Sequence, residues 1–164
     1  MVRSSIAVIP LLALLAPAVA HAEDKKPTPP PYGIAAIRAF MFLEESGTID
    51  PRDMTDGKVT LWNTIIGEGD AKGPSSTTVI QVELAGPTFA NTSGSLELVV
   101  TADGKKLLKQ KVGVDTLFSE GAKLVVPFLV YNTGCDELAI TATYTTPGKK
   151  KVKKTATVPF SCGE

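Results

Sequence analysis

The sequence predicts an all-β chain, an antiparallel two-sheet β-sandwich of about eight strands. Apolar residues recur at every second position in run after run, which is the period of a strand with one buried face. Glycine and proline turns punctuate those runs, and no stretch holds a convincing apolar helical repeat.

The first strand is expected over Ile34 to Leu43, where Arg38 interrupts an apolar run that ends before Gly47. A polar turn region follows, and Asp56-Gly57 leads into an expected second strand, Lys58 to Ile66, with the only tryptophan, Trp62, on the opposite parity from Val59, Leu61 and Ile65. Ile80, Val82 and Leu84 alternate with Gln81 and Glu83 in the next run. Leu96, Leu98 and Val100 then alternate with Glu97, Val99 and Thr101. Ala102-Asp103-Gly104 reads as a three-residue hairpin loop with Gly104 left-handed, which sets Leu98 opposite Leu108 and Glu97 opposite Lys109. Val112 to Gly121 is weakly patterned. Leu124 to Tyr131 carries Pro127, which cannot donate to a central ladder, so this strand belongs at an edge or a bulge.

The clearest hairpin is the last. Leu138, Ile140, Ala142 and Tyr144 are answered by Val152, Ala156, Val158 and Phe160 across a turn at Pro147-Gly148. Parity pairs even with even numbers, for example Ile140 with Val158 and Leu138 with Phe160. That register brings Cys135 close to Cys162, with an irregular residue expected beside Gly134 because Cys135 has the wrong parity to face Cys162 squarely. A disulfide there closes a loop of 27 residues (162 minus 135), a constraint of about 3.5 kcal/mol on the chain-entropy account.

The pattern resembles the broad immunoglobulin-like class of sandwiches. The antibody signature places a tryptophan between two cysteines, whereas Trp62 precedes both Cys135 and Cys162, so the resemblance extends to the architecture and to no particular family.

Residues 1–22 read as a secretory signal peptide. Arg3 precedes an apolar run interrupted by Pro10 and Pro17, and Ala20-His21-Ala22 has the form of a cleavage site. Residues 23–33 read as a proline-rich linker, and 34–164 as the sandwich domain. Cleavage after Ala22 leaves 142 residues (164 minus 22), enough for one core. No later segment is long and apolar enough to span a bilayer. The expected location is therefore exported, periplasmic or secreted, where a disulfide persists.

Cleavage also removes His21, the only histidine, which excludes Ser-His-Asp and Cys-His catalysis and His-ligated zinc. A Ser-Lys pair from Ser75 or Ser76 with Lys72 remains arithmetically possible, although a polar loop accounts for these residues. Glu68 with Asp70, or Asp50 with Asp53 and Asp56, offer oxygens to calcium, yet neither group matches a defined loop. Asn91-Thr92-Ser93 has the form of a glycosylation sequon. No catalytic residue, metal site or cofactor is assigned. The expected function is a non-catalytic binding or accessory module of the cell envelope, acting on a protein or glycan partner; a small carboxylate- or calcium-dependent enzyme is the disfavoured alternative.

One charge feature stands out. Lys149, Lys150, Lys151, Lys153 and Lys154 crowd the tip of the last hairpin, with Lys151 and Lys153 expected on one face and Lys150 and Lys154 on the other. The cluster either keeps an exposed edge soluble or binds a polyanion, an acidic glycan or anionic lipid headgroups. Nucleic acid is not the expected partner, because the cluster lacks arginines and interleaved aromatics. Lys105, Lys106, Lys109 and Lys111 form a second exposed group, expected to be independent of the first.

Overall fold

The computed structural model describes residues 32–87, 91–117 and 123–163. Residues 1–22, expected to be a signal peptide, and residues 23–31 of the expected linker lie outside the described residues. Eight strands form: β1 Gly33–Leu43, β2 Thr48–Ile49, β3 Thr77–Ala85, β4 Asn91–Ala102, β5 Lys105–Leu117, β6 Lys123–Tyr131, β7 Leu138–Thr145 and β8 Lys151–Val158. They make two antiparallel sheets, sheet I in the order β2-β1-β3-β6 and sheet II in the order β5-β4-β7-β8. With β1, β3 and β6 as A, B and E, and β5, β4, β7 and β8 as C′, C, F and G, this is the immunoglobulin-like arrangement.

The core lies between the sheets and follows the predicted alternation. Leu96, Leu98 and Val100 of β4 and Leu138, Ile140, Ala142 and Tyr144 of β7 face Ala39 and Met41 of β1 and Ile80, Val82 and Leu84 of β3, all fully or almost fully buried. Tyr144 fits because the residue diagonal to it on β4 is glycine: Leu96 faces it directly, and a Cβ on Gly94 would stand 2.7 Å from the tyrosine ring.

Two hairpin registers differ from expectation by two residues. In the last hairpin Leu138 faces Val158 and Ile140 faces Ala156, because pairing closes at Thr145 with Lys151. The intervening loop is held by Thr146, whose N–H donates to the Lys150 carbonyl at 2.8 Å and whose hydroxyl accepts from the Lys150 N–H at 3.2 Å. Lys149, not Gly148, takes the left-handed conformation, at φ 62°. In the β4–β5 hairpin the loop is the two-residue Asp103-Gly104, with both residues at positive φ, as a tight hairpin of twisted strands favours. A bulge beside Thr101 then sets Leu98 opposite Gln110 and Glu97 opposite Lys111. A shift of two keeps parity, so the inward and outward faces stay as predicted. β5 also runs on to Leu117 through part of the weakly patterned stretch.

The strand expected over Lys58 to Ile66 does not form. Val59 and Leu61 are buried as their alternation suggested, but the chain then turns through Asn63 at φ 47° into a 3-10 turn, Thr64–Ile66. The loop beyond folds back, and Asp70 holds Thr60 both through its N–H at 2.9 Å to the Thr60 carbonyl and through its carboxylate at 2.6 Å from the Thr60 N–H. These local bonds satisfy the backbone that a ladder would otherwise satisfy. The two-residue β2 makes up the eighth strand.

The C-terminal tail ties this loop down. Ser161 donates to the Leu61 carbonyl at 2.9 Å and accepts from the Asn63 N–H at 2.9 Å. The Trp62 ring, 43% exposed, lies over Gly163, where a Cβ would come within 2.2 Å of it. Cys135 and Cys162 are joined at this end of the sandwich, with Cα atoms 4.7 Å apart. The expected irregularity is Gly134, at φ 113°, packed against Thr64, Ile65 and the Ser75 carbonyl.

Candidate functional site

The edges of the sandwich are blunted by loops and side chains at β1, proline at β6 and lysines at β5 and β8, and sorting those devices separates paired charges from unpaired ones. The free side of β1 is plugged by side chains and loops. Lys154 reaches across from β8 and donates to the Ala35 carbonyl at 2.7 Å, at the residue where β1 bulges. Asp53 accepts from the Ala39 N–H at 3.2 Å while also accepting from the Thr55 N–H, and the Asp50 N–H donates to the Met41 carbonyl at 2.9 Å. β6 carries exposed Pro127 at its centre, and β5 and β8 carry lysines. Proline and lysine both discourage pairing with another chain.

The acidic groups considered for calcium or catalysis are engaged in such local work. Asp50 is buried, accepts from the Arg52 guanidinium at 2.9 and 2.6 Å and takes the Arg52 N–H at 3.0 Å. Those Arg52 bonds hold the Asp50 carboxyl below the usual carboxylate range. Asp56 pairs with Lys58 at 2.8 Å, and Glu68 accepts from the Asn63 amide at 2.7 Å. Ser75 is buried and donates to the Thr77 carbonyl. Ser76 donates to Glu44 at 2.7 Å, and together with Thr77 it lowers the Glu44 carboxyl pKa. The described residues therefore bring no Ser-Lys pair together.

The outer face of sheet I has its charges paired. Glu83 of β3, only 8% exposed at its side chain, accepts from Arg38 of β1 and Lys123 of β6, both at 2.9 Å. Lys123 first and Arg38 second hold its carboxyl below the ordinary glutamate range. Around this triad the face is apolar, with Val125, Leu129 and Tyr131 of β6 and Ile49 of β2 exposed.

The outer face of sheet II is different. Inward parity belongs to Leu96, Val112, Tyr144 and Val152, so Lys109 and Lys111 of β5 and Lys151 and Lys153 of β8 project outward. Cross-strand rows run Gly113–Ser95–Thr145–Lys151 and Lys111–Glu97–Thr143–Lys153. The lysines thus form two banks at opposite edges, with a strip of half-buried serine and threonine between them. A shallow depression of about 100 Å³ crosses the strip, lined by Lys111, Glu97, Ser95, Thr143, Thr145 and Lys151. The Lys109 ammonium lies 3.6 Å from the Glu97 carboxylate, a diagonal pair rather than the directly facing one expected. Among the described residues Lys111, Lys151 and Lys153 have no carboxylate partner.

This arrangement splits the predicted lysine cluster. Lys149 and Lys150 sit in the hairpin loop, Lys151 and Lys153 stand on the outer face, and Lys154 turns inward to the β1 edge. It also merges two groups expected to be independent, since Lys109 and Lys111 share the face with Lys151 and Lys153. Alternation in the β5 segment already marked Lys109 and Lys111 as outward. That β5 and β8 bound one sheet is a matter of topology, which no local pattern encodes. The chain matches no protein-family model and no curated protein sequence.

Proposed function

We propose that the protein is an exported, non-catalytic binding module of the cell envelope that takes an anionic polymer on the outer face of sheet II. The observation that carries this reading is the pair of lysine banks on one sheet face, drawn from two stretches far apart in sequence, with Glu97 between them and, among the described residues, Asp115 beside Gly113 on the β5 edge. Lysines at these edges discourage pairing with another chain, and Lys111, Lys151 and Lys153, which have no carboxylate partner among the described residues, leave their charge open to an anionic ligand as well. The disulfide and the N-terminal segment support export. The engagement of Asp50, Asp53, Asp56, Glu44 and Glu83 in structural bonds supports a binding role over carboxylate chemistry.

Salt-gradient elution of the secreted protein from a sulfated-polysaccharide matrix tests the reading. Retention at physiological ionic strength with loss at high salt is expected, because exposed charges are screened beyond about 8 Å there. Elution with neutral control proteins at physiological salt would remove the polyanion assignment. An intact mass that retains residues 1–22 would remove the assignment to export.

A further inference from the structure

We infer that the ligand of this face is an extended anionic glycan lying across the strands, with β5 and β8 as two cationic banks and the serine and threonine strip as its floor. This rests on the polyanion reading above and adds the ligand's orientation, minimum length and chemical class.

The orientation follows from where the acids lie. Toward the disulfide end, the same face leads past Thr101 and Ala139 into a second depression bounded by Asp103, Asp136 and Glu137. An anionic chain laid along the central strands β4 and β7 would run into these carboxylates, although Lys105, 3.9 Å from Asp103, and Lys106, opposite Thr101, stand on the β5 side of that end. A chain laid across the strands stays at the lysine end, where Lys111 and Lys151 line opposite sides of the first depression.

The length follows from the sheet. β5 and β8 are separated by three inter-strand spacings, about 14 Å. A lone phosphate or sulfate reaches one bank only, whereas a chain that spans the gap engages both, and the second contact is then intramolecular.

The chemical class follows from what the floor offers. Hydroxyls of Ser95, Thr143 and Thr145 both donate and accept, which suits a ligand carrying hydroxyls of its own. Membrane surfaces are usually held by apolar anchors beside the basic residues, and single-stranded nucleic acid by exposed aromatics. Among the described residues, the large exposed apolar and aromatic side chains, Ile49, Trp62, Ile65, Ile66, Val125, Leu129 and Tyr131, belong to sheet I and the end loops. Glu97 is the acid on the floor, and its removal should favour any anion.

Titration calorimetry with a size ladder of heparin-derived oligosaccharides tests the inference, alongside inorganic phosphate, polyphosphate and phosphatidylglycerol vesicles. Affinity should climb with oligosaccharide length until the chain spans about 14 Å and then level off. Lys109→Gln with Lys111→Gln, and separately Lys151→Gln with Lys153→Gln, should each weaken the longer oligosaccharides about tenfold or more and flatten the salt dependence. Thr143→Val with Thr145→Val should weaken the oligosaccharides and leave polyphosphate unchanged, while Glu97→Gln should tighten both. Unchanged melting midpoints in the lysine and valine variants show that the fold is kept. Length-independent binding, a loss confined to one bank, or equal effects of the valine variant on glycan and polyphosphate would overturn the inference while leaving polyanion binding standing. Preference for vesicles over oligosaccharides would replace the glycan by a membrane surface. No binding to any of these anions would overturn the underlying reading as well.

Discussion

On the outer face of sheet I, Arg38, Glu83 and Lys123 converge from three strands into one ion triad, and the rest of the face is largely apolar. On the outer face of sheet II, Lys111, Lys151 and Lys153 stand without a carboxylate partner among the described residues, above a floor of hydroxyls. Both faces belong to the same sandwich and meet the same solvent. Charge on the first is neutralised internally and holds strands together. Charge on the second is only partly paired, through Lys109 and Glu97; it keeps the β5 and β8 edges from pairing with another chain and is available to a ligand. The comparison separates charge that serves stability from charge that serves recognition, and substitution should divide the two accordingly.

The largest expected effect falls on both faces alike. Replacing Cys135 and Cys162 by serine opens a loop of 27 residues and should cost about 3.5 kcal/mol of unfolding free energy by chemical denaturation. The tail that holds Leu61 and Asn63 should loosen first. An unchanged denaturation midpoint would show that the hydrogen bonds of Ser161 suffice to hold this end. A smaller effect belongs to sheet I. Glu83→Gln leaves Arg38 and Lys123 without their shared carboxylate, but both cations are partly exposed and rehydrate, so a loss of about 1–2 kcal/mol is expected.

The acid limb of the stability profile sharpens the same contrast. Folded Glu83, Asp50 and Glu44 have carboxyl pKa values held below their unfolded values. The stability they contribute is complete above the unfolded pKa of about 4 and is lost as pH falls through the depressed folded values. Thermal melts should therefore be flat from pH 8 to about 5 and fall below about 4, with a shallower fall in the Glu83→Gln variant. Substituting the sheet II lysines should leave that profile in place.

Much of this architecture is legible in the sequence. Alternation places Ile80, Val82 and Leu84 of β3, Leu96, Leu98 and Val100 of β4 and Leu138, Ile140, Ala142 and Tyr144 of β7 inward correctly, whereas Ala102, expected in a loop, is buried at the end of β4. Pro127 marks an edge, and two cysteines flanking a hairpin mark the disulfide. The last hairpin slips by two because bonds at Thr146 set its closing pair, and the β4–β5 hairpin because the Asp103-Gly104 turn shifts it by one and the bulge beside Thr101 by one more; neither leaves a trace in the alternation. The segment around Trp62 misleads because Val59 and Leu61 are buried from a loop, so alternation there reports burial without a ladder. The lysine face is half legible. Each bank shows as a local pattern, but their juxtaposition depends on β5 and β8 bounding the same sheet, and Lys154 is diverted to the Ala35 carbonyl by a contact between sheets.

The division of charge between the faces is tested most directly by amide and lysine side-chain NMR during titration with a sulfated oligosaccharide long enough to span sheet II. Shifts concentrated at Lys109, Lys111, Lys151, Lys153, Ser95, Thr143 and Thr145, with Arg38, Glu83 and Lys123 unmoved, are the predicted result. Shifts centred on Lys123 and the apolar face of sheet I, or spread evenly over all exposed lysines, would contradict it.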